Sequence, residues 1–464
     1  MSLHRGRRVL AGLLLAALVF GALRVRSMLL VAAGYAAKVV ASGIFVSGRS
    51  LDSLLREELA PETPLERRLA GQIDFEVDPR ARSVRATFFG LVGREAVCRD
   101  VFGCVLVIGG SRETLRSRVE WEGPTTRREV RPWDVAPPPA PARLEAALDV
   151  AFSTAGHRTR AVVVVHRGAI VGERYAPGYG PSMPLPGWSM AKTVTGALVG
   201  VLAGRGVLVA SEPPGLPEWA GDGRAAITLD HLLRMSSGLE FEERYDSLDS
   251  HATRMLFASE SAAAVAVDEP LAAAPGSLWA YSSGTTNILS LVMRRSFPSD
   301  RDYWRFPREA LFDRIGMASA VLETDPDGTF VGSSYLHATA RDWARFGQLL
   351  LRGGSWDGER VLPEGWVPYM TAPAPAAPRG EYGAQTWLNA GEPGNPERRP
   401  HTRLPADLFL LAGFQGQRVV VLPSRELVVV RLGLTKDEAS WSLEDDLMLP
   451  ILGALAPPPG EAPE

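Results

Sequence analysis

Ser189 and Lys192 stand three residues apart, at the head of a stretch from Thr193 to Gly204 that carries no charge. Residues three apart share a helical face, so the amine is directed at the hydroxyl. A helix without a polar face is a buried one. An amine drawn into such surroundings loses solvation and its pKa falls, which makes it a base able to activate a serine nucleophile. The chain has only three lysines, Lys38, Lys192 and Lys436, among its 50 lysines and arginines. Arginine keeps its proton in a protein and cannot replace Lys192 in this role. A bare Ser-x-x-Lys also describes a helix-capping serine with a lysine reaching for solvent, so the chemistry needs partners.

Two further segments offer them. Pro275-Gly276-Ser277-Leu278-Trp279-Ala280-Tyr281-Ser282-Ser283-Gly284 is a turn feeding an aromatic, a hydroxyl cluster and then a helix over Thr286–Arg294. Tyr281 there is a candidate general base and acid, holding a proton between nucleophile, lysine and leaving group. Leu411-Ala412-Gly413-Phe414-Gln415-Gly416-Gln417 leads into an apolar strand, Arg418–Leu422. A glycine at a strand edge permits close backbone approach to a ligand. A backbone N–H at this edge, with that of Ser189, would form an oxyanion hole.

The elements that must position these residues occupy the last two thirds of the chain. An amphipathic helix is predicted over Leu144–Phe152, followed by strands Ala161–His166 and Ala169–Tyr175 turning at Arg167-Gly168. The uncharged helix follows Ser189, and the segment closes with strands Arg418–Leu422 and Leu427–Leu432. Strands at both ends with helices between predict one sheet assembled from distant parts of the chain.

In this order the three elements resemble the serine β-lactamase and penicillin-recognising family, in particular its class C-like esterases and the 6-aminohexanoate-dimer hydrolase branch. The segment Ile227-Thr228-Leu229-Asp230-His231-Leu232-Leu233-Arg234-Met235-Ser236-Ser237-Gly238-Leu239 is similar to the family's stretch after the nucleophile helix, and Gly332-Ser333-Ser334-Tyr335 with Ala338–Gly347 is similar to another. The resemblance covers residues 143–456. It implies an α+β sandwich of β-lactamase/transpeptidase type, an antiparallel sheet flanked by helices plus a helical lobe. It further implies a small amide or ester substrate and no cofactor. Ser189 would attack, Lys192 with Tyr281 would accept its proton, and the N–H groups of Ser189 and Phe414 would hold the oxyanion. Tyr245, in Phe241-Glu242-Glu243-Arg244-Tyr245, matches a substrate-contacting tyrosine, and Ser283 and Gly413 fall at substrate-binding positions.

Two departures bear on substrate. The family's Tyr-x-Asn reads Tyr281-Ser282-Ser283, and the Lys-Thr-Gly of β-lactamases reads Leu411-Ala412-Gly413. Losing that lysine removes the cation that would meet a carboxylate, which favours neutral-ended amides or esters. A penicillin-binding-like peptidase or β-lactamase, and an acylated sensor without turnover, are the alternatives. His166, His231 and His337 lie within predicted elements without metal-ligand spacing and are assigned to structure, with no metal expected.

At the N-terminus Arg5, Arg7 and Arg8 precede an apolar run from Val9 to Val25 broken by Arg24, which reads as a signal anchor over residues 1–26. The alternative is a cleaved signal. An anchor leaves the arginine-rich tip in the cytoplasm and the rest exported, at the extracytoplasmic face of the membrane. Met28 to Val46 reads as a packed or interfacial helix. Residues 27–135 read as a small α+β domain, with a helix at Leu51–Leu59 and strands over Ser83–Val97 and Cys104–Ile108. Cys98 and Cys104 are either a disulfide across a turn at Gly103 or two buried thiols. Pro132 and residues 136–142 form a stiff proline linker. Residues 143–458 form the hydrolase domain and 459–464 a disordered tail. A net charge of −3 gives no field for nucleic acid.

Overall fold

Two strands of this chain are buried almost end to end, β5 (Thr159–His166) and β10 (Leu427–Gly433). A strand hidden on both faces needs helices on both sides, and the computed structural model supplies them. It describes residues 2–61, 67–68, 70–119, 133, 137 and 139–456. The proline linker is therefore described only in part, and the 459–464 tail lies outside the described residues. The helices used below are α1 (Ser2–Phe45), α2 (Leu51–Glu57), α3 (Ala142–Ser153), α4 (Met190–Gly204), α5 (His251–Phe257), α6 (Ser283–Arg295), α7 (Ala340–Leu351) and α8 (Leu449–Leu455).

The six-stranded antiparallel sheet joins β5 and β6 (Ala169–Tyr175) to β7 (Trp387–Leu388), β8 (Phe409–Gly413), β9 (Gln417–Leu422) and β10, in the order β7-β8-β9-β10-β5-β6. The hairpin from the start of the domain pairs with its last strand, with Val163 opposite Val430 and Val164 opposite Val429. Alternation then sorts the side chains. Val163, Val165, Val419, Val421, Val428 and Val430 pack into the core shared with α4 and α7. Val162, Val164, Val420 and Val429 face α3 and α8. The sheet built from distant segments is thus present, and the fold is α+β with helices on both faces.

The N-terminal part holds a second sheet, a meander of β1 (Ile73–Asp78), β2 (Ser83–Phe88), β3 (Val92–Arg99) and β4 (Gly103–Leu106). The stretch Ser83–Val97, expected as strand, is a hairpin turning at Phe89-Gly90, and β1 is a further strand beyond those expected. Cys98 and Cys104 face each other across β3 and β4 and are joined by a disulfide. The two apolar N-terminal stretches form one uninterrupted helix. Its residues Ala17–Ser27 are exposed, and packing begins at Met28. Ala36, Ala37, Val40 and Ala41 lie against Val84, Ala86, Ala96 and Leu106 of the small sheet. α1 also meets α5: a Cβ on Gly34 would fall 2.4 Å from the Phe257 carbonyl, so only glycine permits this approach.

A buried ion pair locks the two parts together. Lys38 of α1 binds the Glu323 carboxylate, which also accepts from Ser42 Oγ at 3.1 Å and from the Cys104 N–H at 2.6 Å. The three histidines sit in structural roles. His231 Nδ1 caps the Thr228 N–H at 3.1 Å, and His166 ends β5. His337 lies buried beside Glu323, where desolvation pulls its pKa down to about 4.

Candidate active site

Backbone conformation fixes where the nucleophile points. Leu185-Pro186 pairs with the strand at Leu336–Ala338, which delivers the chain to Trp188 at φ +48°. A bulky residue in the left-handed region is held there only by its surroundings. Ser189 follows at the N-cap of α4, yet its hydroxyl makes no capping hydrogen bond. The capping alternative therefore does not describe it. Instead Ser189 Oγ lies 3.0 Å from Lys192 Nζ.

Lys192 is 1% exposed. Its amine reaches Ser283 Oγ at 2.8 Å and the Ser333 carbonyl at 3.1 Å besides Ser189. Desolvation lowers its pKa from 10.5 to about 8, with the charge of Glu243 working in the opposite direction. About a tenth of this amine is neutral at pH 7 and about half at pH 8, so it can serve as a base. The Gly332–Tyr335 segment singled out from sequence supplies that Ser333 carbonyl, and Ser333 is itself positioned by its N–H on Asn287 Oδ1 of α6 at 3.1 Å.

Tyr281 enters on the chain leading into α6. Its ring lies against Lys192, 4.8 Å from amine to centroid, and against Tyr382 and Trp387. Burial pushes its hydroxyl pKa up, assisted by Glu243 and opposed by a hydrogen bond with Ser189 and the charge of Arg418. Tyr281 is a neutral phenol at physiological pH, a proton donor beside the nucleophile.

The strand edge is close as well. A Cβ on Gly413 would sit 2.1 Å from the Gly187 carbonyl, so β8 passes directly against the backbone that carries Ser189. The next residue, Phe414, is partly exposed and meets Trp188 edge-on at 6.0 Å and Tyr245 stacked at 5.4 Å. Leu411 is fully buried in the core, so β8 projects no cation from that position.

The structure thus gathers Ser189, Lys192, Tyr281, Ser283, Tyr245, Gly413 and Phe414. Ser283 is fully buried, and its hydroxyl lies between Lys192 and Glu243 rather than on an open wall. Two residues in the cluster escaped sequence reasoning. Glu243 accepts the Ser283 N–H at 2.7 Å, the Ser283 hydroxyl at 2.5 Å and the Tyr245 hydroxyl at 2.7 Å. In sequence it is one of three adjacent charges in Glu242-Glu243-Arg244, and nothing local distinguishes it. Arg418 donates to the Gly413 carbonyl at 3.1 Å and to Glu438 at 3.4 Å, beside the site. Its signal was a charge at the start of an otherwise apolar strand.

A family model described as Beta-lactamase matches residues 143–449. The 6-aminohexanoate-dimer hydrolase of Paenarthrobacter ureafaciens is 24% identical over 323 residues, covering 64% of this chain and 79% of that protein. A solved structure described as a 6-aminohexanoate-dimer hydrolase from Bacillus anthracis is 26% identical, with a TM-score of 0.52 over 60% of this chain and 74% of that one. A family VIII carboxylesterase shares the fold, at 14% identity and a TM-score of 0.50 over 64% and 92% of the two chains. With a buried lysine at its serine and a family match over most of its length, the chain belongs to the β-lactamase family of serine hydrolases.

Proposed function

We propose that the protein cleaves a small amide or ester through an acyl-enzyme on Ser189. The observation that carries this reading is a buried Lys192 amine, its pKa lowered to about 8, set 3.0 Å from a serine hydroxyl that caps nothing. Neutral Lys192 takes the Ser189 proton as Oγ attacks the carbonyl carbon. The backbone N–H groups of Ser189 and Phe414 hold the oxyanion, on segments brought together where Gly413 passes Gly187. Tyr281, a neutral phenol, protonates the leaving nitrogen or oxygen and regains a proton from Lys192. Water then attacks the acyl-enzyme by the same steps in reverse.

Glu243 acts through Ser283. The line Lys192 Nζ, Ser283 Oγ, Glu243 carboxylate sets a negative charge behind the amine, so the ammonium formed in the transition state is stabilised where it appears. Tyr245, Gly413 and Phe414 face the substrate. With Leu411 buried and Arg418 held by Glu438, a neutral-ended substrate is preferred over a carboxylate. The N-terminal part of α1, a helix whose stretch Ala17–Phe45 is long and apolar enough to cross a membrane, anchors the enzyme with its hydrolase part exported.

The test is labelling and turnover with Ser189→Ala as control. A fluorophosphonate probe and a p-nitrophenyl ester panel are expected to give Ser189-dependent labelling with turnover. Labelling without turnover would assign a sensor, and no Ser189-dependent labelling would overturn the reading.

A further inference from the structure

Among the described residues, the exposed large apolar side chains gather at one end of the molecule: eight of thirteen lie around the point where α1 leaves the protein. Five are on α1 itself between Leu18 and Val25. Two more, Phe89 and Leu91, form the tip of the β2–β3 hairpin, and Leu91 is 86% exposed. The eighth is Leu248, 41% exposed, in the loop that carries Tyr245.

Two contacts and one pair of neighbouring like charges relate these segments. Arg24 of α1 pairs with Asp249 at 2.8 Å, which fixes Leu248 beside the helix. Arg94 of β3 is desolvated and feels the charge of Arg26. Farther along, Cys98 Sγ approaches the Ala41 carbonyl at 3.9 Å, so β3 and α1 run in the same direction. Moving back from Cys98 to Leu91 covers about 23 Å of strand, or about fifteen residues of helix, which sets the hairpin tip near the level of Arg26. Arg24, Arg26 and Arg94 therefore form a basic collar, with Phe89, Leu91 and Leu248 at its level and the apolar side chains of α1 from Leu18 to Leu23 beyond it. An apolar zone bounded by arginines matches the border between acyl chains and phosphates. The apolar run of α1 from Val9 to Val25 would extend about 26 Å, close to the depth of a hydrocarbon core.

We propose that this end is a bilayer-docking face, with the hairpin tip and Leu248 inserted beside α1 and the active-site loop held at headgroup level. The inference rests on α1 being embedded in the membrane and not on the serine chemistry. Tyr245 is four residues from the Arg24–Asp249 pair, so the cleft opens beside the lipid surface and receives acyl substrates presented there.

The full chain, reconstituted into phosphatidylcholine–phosphatidylglycerol vesicles, tests this with a fluorophore on Leu91→Cys, Leu248→Cys or, as control, Val207→Cys. Lipids carrying a shallow doxyl quencher are expected to quench positions 91 and 248 several-fold more than 207. The Leu91→Cys variant is expected to keep wild-type turnover of a soluble p-nitrophenyl ester. Protein that floats with vesicles but shows equal quenching at all three positions overturns the docking face. Failure to float removes the embedded helix and overturns it at its premise. Disulfide-linked dimers through position 91 would assign the face to a second copy instead. The quenching and flotation readouts do not depend on Ser189.

Discussion

The Glu243 carboxylate takes both the N–H and the hydroxyl proton of Ser283, at 2.7 and 2.5 Å, and Ser283 Oγ in turn lies 2.8 Å from the Lys192 amine. A carboxylate thus stands one hydroxyl away from the base. Tyr245 donates a third hydrogen bond to it, at 2.7 Å. That arrangement suits a charge that tunes the lysine and not one that meets substrate.

Replacing Glu243 by Gln removes the charge that raises the Lys192 pKa. The acid limb of kcat/KM is therefore expected to move to lower pH, while kcat falls about 10–100-fold from the loss of transition-state stabilisation. The groups facing Lys192 are Ser189, Ser283, the Ser333 carbonyl, Tyr281, Glu243 and, through Tyr281, Arg418, and the variant leaves all but Glu243 in place. A pH–rate profile decides: an unmoved limb would show that Glu243 only shapes the loop.

In the wild type the same limb belongs to Lys192. Activity on a neutral ester is expected to rise with pH through about 8, where the amine becomes neutral. Lys192→Ala and Ser189→Ala are each expected to lower kcat/KM by about a thousand-fold or more, and the double variant by little beyond either. Additive losses would contradict a shared proton-transfer step.

Burying this lysine also couples stability to pH. Its folded pKa, about 8, lies below the unfolded 10.5, so between those values the unfolded chain binds more protons and stability rises with pH. The gain approaches about 3 kcal/mol once the unfolded pKa is passed, and is absent below pH 8. Denaturant midpoints at pH 7.5 and 10.5 are expected to diverge between wild type and Lys192→Met by this trend.

Glu323→Ala strands the Lys38 amine in the interior, where Glu323 is its carboxylate partner. The expected cost is about 3–5 kcal/mol, read as a lower melting temperature. The double change Lys38→Met with Glu323→Gln is expected to recover most of it. Equal losses in single and double variants would locate the effect elsewhere.

Turnover of nitrocefin is expected to remain far below that of a p-nitrophenyl ester. Leu411 faces the core, and the nearest cation at the strand edge, Arg418, is engaged with the Gly413 carbonyl and Glu438. Comparable rates on the two substrates would show that Arg418 turns to meet a carboxylate.

Ser189, Lys192, Tyr281 and Gly413 were legible in the sequence because each rests on a local pattern: helical spacing, an uncharged helix, a turn before an aromatic, a glycine at a strand edge. The valine-rich strands of the large sheet were legible for the same reason, since continuous apolar runs report burial on both faces. What only the tertiary structure decided depends on contacts between distant segments. Glu243 and Arg418 are ordinary loop and strand charges until folding brings them to Ser283 and Gly413. Lys38 is a lone charge in the apolar stretch Met28 to Val46, and folding sets it on Glu323, 285 residues away. β1 has a regular alternation in Ile73-Asp74-Phe75-Glu76-Val77-Asp78 that the sequence offered, whereas the hairpin turn at Phe89-Gly90 is masked by apolar residues that run through it from β2 into β3. Local periodicity reports which face of an element is buried, while the identity of the group it is buried against is a property of the assembled fold.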